Sequence, residues 1–322
     1  MEKNTRSTIK LIFAALLTAS MLVSTVSCTQ KLPEETTEQP ATSAPDVTVP
    51  VTEEETTAIP ETEPAVTEAP DDGEALKEIL LSSQSLKSKC KAIRTIYSPV
   101  SGAYPQGGYT DGKYVWQVFI QKDTASNEAA NKDIIVKYDL TTGKTVKISK
   151  VLDLNHGNDI TMTPDGLLAV VHNNPNRYTV SIIDPDELTL VKKVQLPKMI
   201  YCMAYCEARE KYVVGVSGGQ NFCYLASTMQ KGSNKDLLDK TATNLTTGYT
   251  TQGCTCDANF IYFVLYNKSV ITVYDWDGKF VTLIELDVGK LEPENISVVG
   301  NSIYVTCANN GAQIYKVEPY AG

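Results

Sequence analysis

The sequence predicts an all-β protein, a β-propeller of five four-stranded blades closed by an N-terminal strand and preceded by a disordered stalk. Three observations carry that expectation. A turn followed by a hydrophobic strand recurs as Asp111-Gly-Lys-Tyr-Val-Trp, Asp165-Gly-Leu-Leu-Ala-Val, Arg209-Glu-Lys-Tyr-Val-Val, Ala258-Asn-Phe-Ile-Tyr-Phe and Gly300-Asn-Ser-Ile-Tyr-Val. The second residues of these phrases fall at 112, 166, 210, 259 and 301, a step suited to four short strands per unit. The composition also divides sharply. Residues 29–73 carry Lys31 against twelve acidic residues, whereas residues 74–322 balance 25 basic with 25 acidic side chains. The net charge of -9 therefore belongs to a tail, and no basic face points to a nucleic-acid partner.

In chain order, residues 1–28 predict an export signal. Lys3, Arg6 and Lys10 precede the apolar run Leu11–Val23, which is shorter than the about 20 residues that span a bilayer. Residues 29–73 repeat a Thr/Glu/Pro theme without aromatic residues, so they predict a disordered spacer that like charges and prolines keep extended. Asp71-Asp72-Gly73 precedes Leu76, Ile79 and Leu80 at helical spacing, which predicts a short amphipathic helix over 74–89. Residues 90–322 form the repeat domain. Each phrase is followed by a strand such as Ile134-Ile-Val-Lys-Tyr-Asp, Thr179-Val-Ser-Ile-Ile-Asp or Val270-Ile-Thr-Val-Tyr-Asp, then by a turn and another strand. The last unit ends one strand short near Val317. The segment Cys90-Lys-Ala-Ile-Arg-Thr-Ile-Tyr is expected to supply its outer strand and so remove an open sheet edge.

Two resemblances accompany these residues. Thr25-Val26-Ser27-Cys28 resembles the lipobox of bacterial lipoproteins, with Thr25 where that family usually places an aliphatic residue. The resemblance implies that Cys28 is lipidated and becomes the mature N-terminus, tethering the domain at the bacterial cell surface. Acyl chains add about 0.8 kcal/mol per buried CH₂, so two suffice for stable attachment. The phrase strand-Asp-x-x-x-Gly-Lys-strand is similar to the blades of YncE-like and NHL-like propellers. His156-Gly-Asn-Asp-Ile-Thr and Thr251-Gln-Gly-Cys are similar to helveticin-J-like surface propellers. Those families share architecture and not one activity.

Residues just before each phrase are expected to converge at one mouth of the central channel. They are Gln106, Asn158, Asp159, Gln252 and Glu294, with Cys202 and Met203 among them and His156 and Glu292 just outside. Such a polar ring suits a sugar, a peptide end or a cation. SMP-30-like lactonase propellers hold a divalent metal in that place with Glu, Asn and Asp oxygens. The likeness would assign Asn158, Asp159 and Glu294 as ligands of Ca²⁺ or Mg²⁺, which take hard oxygens. The alternative for the same side chains is turn capping at strand starts. Tyr104, Tyr109, Tyr201 and Tyr249 are expected in loops near the mouth, each packing in the core or rim, with stacking on a sugar as the alternative. His172 is expected in a second strand as a structural histidine. No Gly-x-Ser-x-Gly elbow and no paired Cys-x-x-Cys occurs. Seven cysteines lie in the domain, buried between blades by default, with a Cys202–Cys254 bridge as an alternative.

The sequence thus predicts a lipid-anchored surface module that binds an extracellular glycan or protein and needs no cofactor. A metal-dependent lactonase or glycan-cleaving enzyme at the channel mouth is the alternative.

Overall fold

A computed structural model of the protein describes residues 73–121, 132–173, 176–216, 221–230, 250–267 and 269–322. The leader with Cys28, the spacer through Asp72, residues 122–131, residues 231–240 and Tyr249 lie outside the described residues. No helix among the described residues is long and apolar enough to cross a membrane.

The chain enters through α1 (Glu74–Leu81), whose buried Leu76 and Leu80 lie one turn apart on one face. Gly73 caps the helix in the left-handed region at φ 75°, and the Leu76 N–H donates to Asn301 Oδ1 at 2.8 Å. A side chain 225 residues away thus supplies the N-terminal cap. The expected helix is shorter than 74–89. It stops at Leu81, and Ser85–Ile96 forms strand β1, because this segment gains two sheet partners.

Four antiparallel strands follow, β2 (Tyr104–Thr110), β3 (Tyr114–Ile120), β4 (Asp133–Asp139) and β5 (Lys144–Ile148), paired in that order. The next sheet repeats the order with β6 (Asp159–Met162), β7 (Leu168–Val171), β8 (Thr179–Ile183) and β9 (Leu190–Gln195). A third comprises β10 (Cys202–Cys206), β11 (Lys211–Val216) and β12 (Asn221–Ala226). The fourth run is β13 (Thr251–Cys256), β14 (Phe260–Leu265), β15 (Val270–Asp275) and β16 (Phe280–Glu285). The last is β17 (Glu292–Val299), β18 (Ser302–Ala308) and β19 (Ala312–Tyr320).

β1 lies antiparallel along β19 from Lys87↔Tyr320 to Ile96↔Ala312. Its first three residues also pair in parallel with Leu283, Ile284 and Glu285 of β16. The hydrogen-bonded sheets therefore differ from five separate four-stranded units. β1 joins the last two runs into one eight-stranded sheet, and the third sheet has three described strands.

Each recurrent phrase sits at the turn between the first and second strand of a run. Gly112, Gly166, Glu210 and Gly300 have φ of 92°, 77°, 51° and 55°. In the last phrase the left-handed residue is Gly300 and not Asn301, whose side-chain oxygen accepts the Leu76 N–H of α1. Second and third strands are buried on both faces, as in Phe260–Leu265 and Thr179–Ile183, whereas β5 and β9 are exposed. The core accordingly lies between sheets. Trp116, Val118 and Ile135 pack on Ile160, Leu168 and Val170. Val180 and Ile182 pack on Tyr212 and Val214. Phe222 packs on Phe263, with ring centroids 5.5 Å apart. Tyr262 and Ile271 meet Val305 and Val317, where α1 also docks. Ile314 and Ile96 close against Phe119 and Ile134.

Four hydrogen bonds and one close backbone approach link the first strands in a cycle. The Gly107 N–H donates to Gly157 O just before β6, and the Tyr205 N–H of β10 donates to Thr161 Oγ1 of β6. Cys206 Sγ donates to Asp257 O at the end of β13, Gly253 approaches Asn295 of β17, and the Thr110 N–H of β2 donates to Ser297 Oγ of β17.

Candidate functional site

At the starts of the first strands, four of the expected residues form one hydrogen-bonded set. Glu294, only 4% exposed, receives Gln106 Nε2 at 3.5 Å and Gln252 Nε2 at 3.4 Å on its Oε2. The same Gln252 amide donates to Glu292 Oε1 at 2.9 Å. Asn158 Nδ2 donates to Tyr201 O at 2.6 Å and, at 3.4 Å, to Gln252 O. Behind it, Asn173 Nδ2 donates to Asn158 Oδ1 at 3.2 Å, and the Arg177 guanidinium donates to Asn173 Oδ1. Arg177 also lies 4.0 Å over the Tyr201 ring.

Burial pushes the Glu294 carboxyl well above the usual carboxylate range, and the neighbouring Glu292 charge adds to it. Glu292 rises as well through burial, offset in part by the Gln252 amide. An acid removed from water with only long amide contacts holds its proton readily. This cluster therefore offers a carboxyl that can donate or accept, two amides from different strands and one more exposed carboxylate.

Asp159 is fully buried and faces elsewhere. Its Oδ2 accepts the N–H groups of Met203 at 3.1 Å and Cys254 at 3.2 Å, and its Oδ1 accepts the Ile160 N–H at 3.0 Å. It ties β6 to β10 and β13, and burial raises its pKa well above the ordinary value despite those bonds. Among the described residues, one group of His, Cys, Asp or Glu stands close enough to share an ion, Asp159 with Cys202 and Cys254. Asp159 and Glu294 are not drawn together in such a group. The resemblance-derived trio Asn158, Asp159 and Glu294 is thus divided: the Asn158 amide and the Glu294 carboxyl lie in the mouth network, while the Asp159 oxygens serve backbone donors between strands.

His156 sits on a left-handed turn at φ 79° and is half-buried. Its imidazole is lowered from the ordinary value by burial and by the Arg177 charge, both of which disfavour the protonated ring. The turn is held by Asp133, which is 1% exposed, accepts the Leu154 N–H at 3.1 Å on Oδ2 and also bonds the His156 backbone. His172 bonds Ser181 Oγ through Nε2 at 2.8 Å inside the second sheet, and burial lowers it to about 4. Tyr109 lines a cavity at the other end of the first strands, and Tyr104 is exposed in a separate cavity.

Sequence reasoning missed Asn173, Arg177 and Asp133. The first two follow the second strand of their run in a segment with no recurrent phrase, and Asp133 directly follows the polar stretch of residues 122–132. Close backbone approach gives a further signal in hindsight. A Cβ on Gly107 would lie 2.5 Å from Asp159 N and 2.6 Å from Gly157 O, so only glycine lets β2 reach the turn that carries Asn158.

No protein-family model matches the chain, and no curated protein matches it in sequence. Among solved structures, glutaminyl cyclase of Myxococcus xanthus is 11% identical with a TM-score of 0.52, over 74% of this chain and 99% of that one. A calcium-binding protein, regucalcin, from Agrobacterium tumefaciens is 14% identical with a TM-score of 0.44, over 73% and 96%. Virginiamycin B lyase from Staphylococcus aureus is 15% identical with a TM-score of 0.40, over 73% and 89%. These neighbours are β-propeller proteins. The superposition on the cyclase supports a β-propeller fold for this chain, and at such identities the likeness extends to the fold alone.

Proposed function

We propose that this chain is a five-bladed propeller that binds an extracellular glycan at the mouth bearing Glu294, tethered to the bacterial surface by a lipid on Cys28 and held off it by the acidic spacer. Blade closure by β1 supports the five-blade description, since β1 completes the run β17–β19 as its fourth strand. The export signal and lipobox-like residues support the anchoring. One observation carries the binding role. Gln106, Gln252 and Glu294 come from three different first strands to a buried acid whose amide contacts are 3.4–3.5 Å long. A buried carboxyl so weakly satisfied is costly unless a ligand completes it. Neighbouring hydroxyls of a sugar present both donors and acceptors at the spacing that a carboxyl and two amides can meet.

The test is capture of the protein on a panel of immobilised mono- and oligosaccharides, with Glu294→Ala beside the wild type. Capture that Glu294→Ala abolishes at an unchanged melting temperature supports the assignment. Capture equal in both proteins, or none with any saccharide, rejects it.

The enzymatic alternative, a metal-dependent lactonase or glycan-cleaving propeller, draws support from the Glu292 and Glu294 carboxyls sharing the Gln252 amide. It is weakened by Asp159, whose oxygens already accept three backbone N–H groups. Millimolar Ca²⁺ or Mg²⁺ separates the two. A cation at 100 times its dissociation constant adds about 2.7 kcal/mol of stability, so a melting rise absent from Glu294→Ala would transfer the assignment to a metal site.

A further inference from the structure

The far end of the first strands holds a second polar opening. A cavity of about 270 Å³ is lined by Tyr109, Thr161, Tyr205, Glu207, Thr255 and Cys256, among others. Cys256 closes β13 there and is half-buried. Cys206 closes β10 beside it, is 3% exposed, and packs in the same core cluster as Cys254 and Phe263. The Cys256 thiol donates a hydrogen bond to Cys206 Sγ, and Cys206 in turn reaches Asp257 O at 3.4 Å, the residue after Cys256. The two sulfurs therefore face each other across neighbouring sheets, one open to the cavity and one behind it.

A second thiol pair lies deeper in the same seam. Cys202 and Cys254 are 0% and 2% exposed and hydrogen-bonded to each other, beside the Asp159 carboxyl. The comparison between the two pairs isolates the effect of access, because each joins β10 to β13.

The geometry points to a thiol–disulfide modification site at Cys206 and Cys256, at which a small-molecule disulfide entering the cavity converts the pair into a bond between neighbouring sheets. In the first step the Cys256 sulfur attacks the donor R–S–S–R, forming a mixed disulfide and expelling one RS⁻. In the second step the Cys206 thiolate attacks the Cys256 sulfur of that mixed disulfide, forming the protein S–S bond and expelling the second RS⁻. The two protein thiols lose two electrons and two protons, and the donor disulfide gains them as two RSH. The hydrogen bond from Cys256, then the Arg209 backbone N–H and the Arg209 charge, hold Cys206 below its ordinary value against burial. Burial and the Cys206 contact raise Cys256 instead, so the thiolate fraction of Cys256 sets the rate of the first step. Arg209 is fixed on the spot by donating to Ala258 O from Nε at 3.1 Å and Nη2 at 2.8 Å.

The experiment exposes the native full chain to oxidised glutathione, quenches by acid, alkylates the remaining thiols and maps peptides without reduction. The expected product is a Cys206–Cys256 crosslink, with Cys202 and Cys254 both alkylated. Cys206→Ser is expected to retain glutathione on Cys256, because the resolving sulfur is gone, while Cys256→Ser leaves Cys206 unmodified for want of access. The wild-type map alone decides if either variant folds poorly. Both thiols of the pair alkylated after exposure, stable glutathione on wild-type Cys256, or a crosslink through Cys202 or Cys254 would each overturn the assignment.

Discussion

Asp133→Asn tests whether burial or hydrogen bonding controls the carboxyl that holds the His156 turn. Asp133 lies under the turn Leu154–Gly157 with 1% exposure, and its oxygens accept backbone N–H groups from Leu154 and His156. Burial, the larger influence, raises it from 3.8 to about 6 against those two bonds. The folded carboxyl then keeps its proton through a range in which the unfolded one has lost it. Stability from this group is fully present below the unfolded value of 3.8 and is lost as pH rises through about 6. At about 1.4 kcal/mol per unit the whole effect is about 3 kcal/mol, of which about 2 kcal/mol falls between pH 4.5 and 7.5. Asparagine is neutral throughout, so the stability difference between wild type and Asp133→Asn should shrink by about 2 kcal/mol over that interval. Urea unfolding at four pH values measures it. Asp159 and Glu294, whose raised values act with the same sign, are common to both proteins and cancel. A difference that grows with pH would mean that Asp133 is ionised in the fold, and that two N–H bonds outweigh the loss of solvent.

Gly107→Ala should destabilise the protein by about 3 kcal/mol, since every close neighbour of the new Cβ is backbone that cannot turn aside. Gly166→Ala, at φ 77° with open space around it, should lose only about 1–2 kcal/mol from backbone strain; equal urea midpoints for the two would remove the case for close approach at residue 107. Tyr224→Phe should lower stability by about 1–2 kcal/mol, because the Tyr224 hydroxyl donates to the Trp276 carbonyl beneath a ring stacked at 5.4 Å. Thermal melts check it, and no change would show the carbonyl content with water. Deleting residues 1–96 removes β1 and bares the β19 edge, so the product should associate or precipitate on size-exclusion chromatography; a stable monomer would show that β1 is dispensable.

The repeat phrase was legible because local physics writes it. A tight turn needs a residue that tolerates positive φ, and the following strand needs β-branched and aromatic residues on both faces, so Asp111-Gly112 and Asp165-Gly166 announce themselves. The mouth residues Gln106, Asn158, Gln252 and Glu294 followed by counting back from those turns, since equivalent first strands run side by side. Counting could not tell that Asp159 points between strands and the Asn158 amide into the mouth. Adjacent residues on a strand face opposite ways, and which way is set by the register of β6 against β10 and β13. The helix boundary was misjudged for a related reason. Ser85–Lys89 carries no strong local preference, and its strand state comes from β16 and β19, which lie about two hundred residues later. The sequence by itself determined the period, the turns and the polar residues at the starts of the first strands. Only the tertiary structure decided which polar groups meet, that Asn301 caps α1, and that four thiols stand in two pairs, because those contacts join residues tens to hundreds of positions apart and depend on how neighbouring sheets pack.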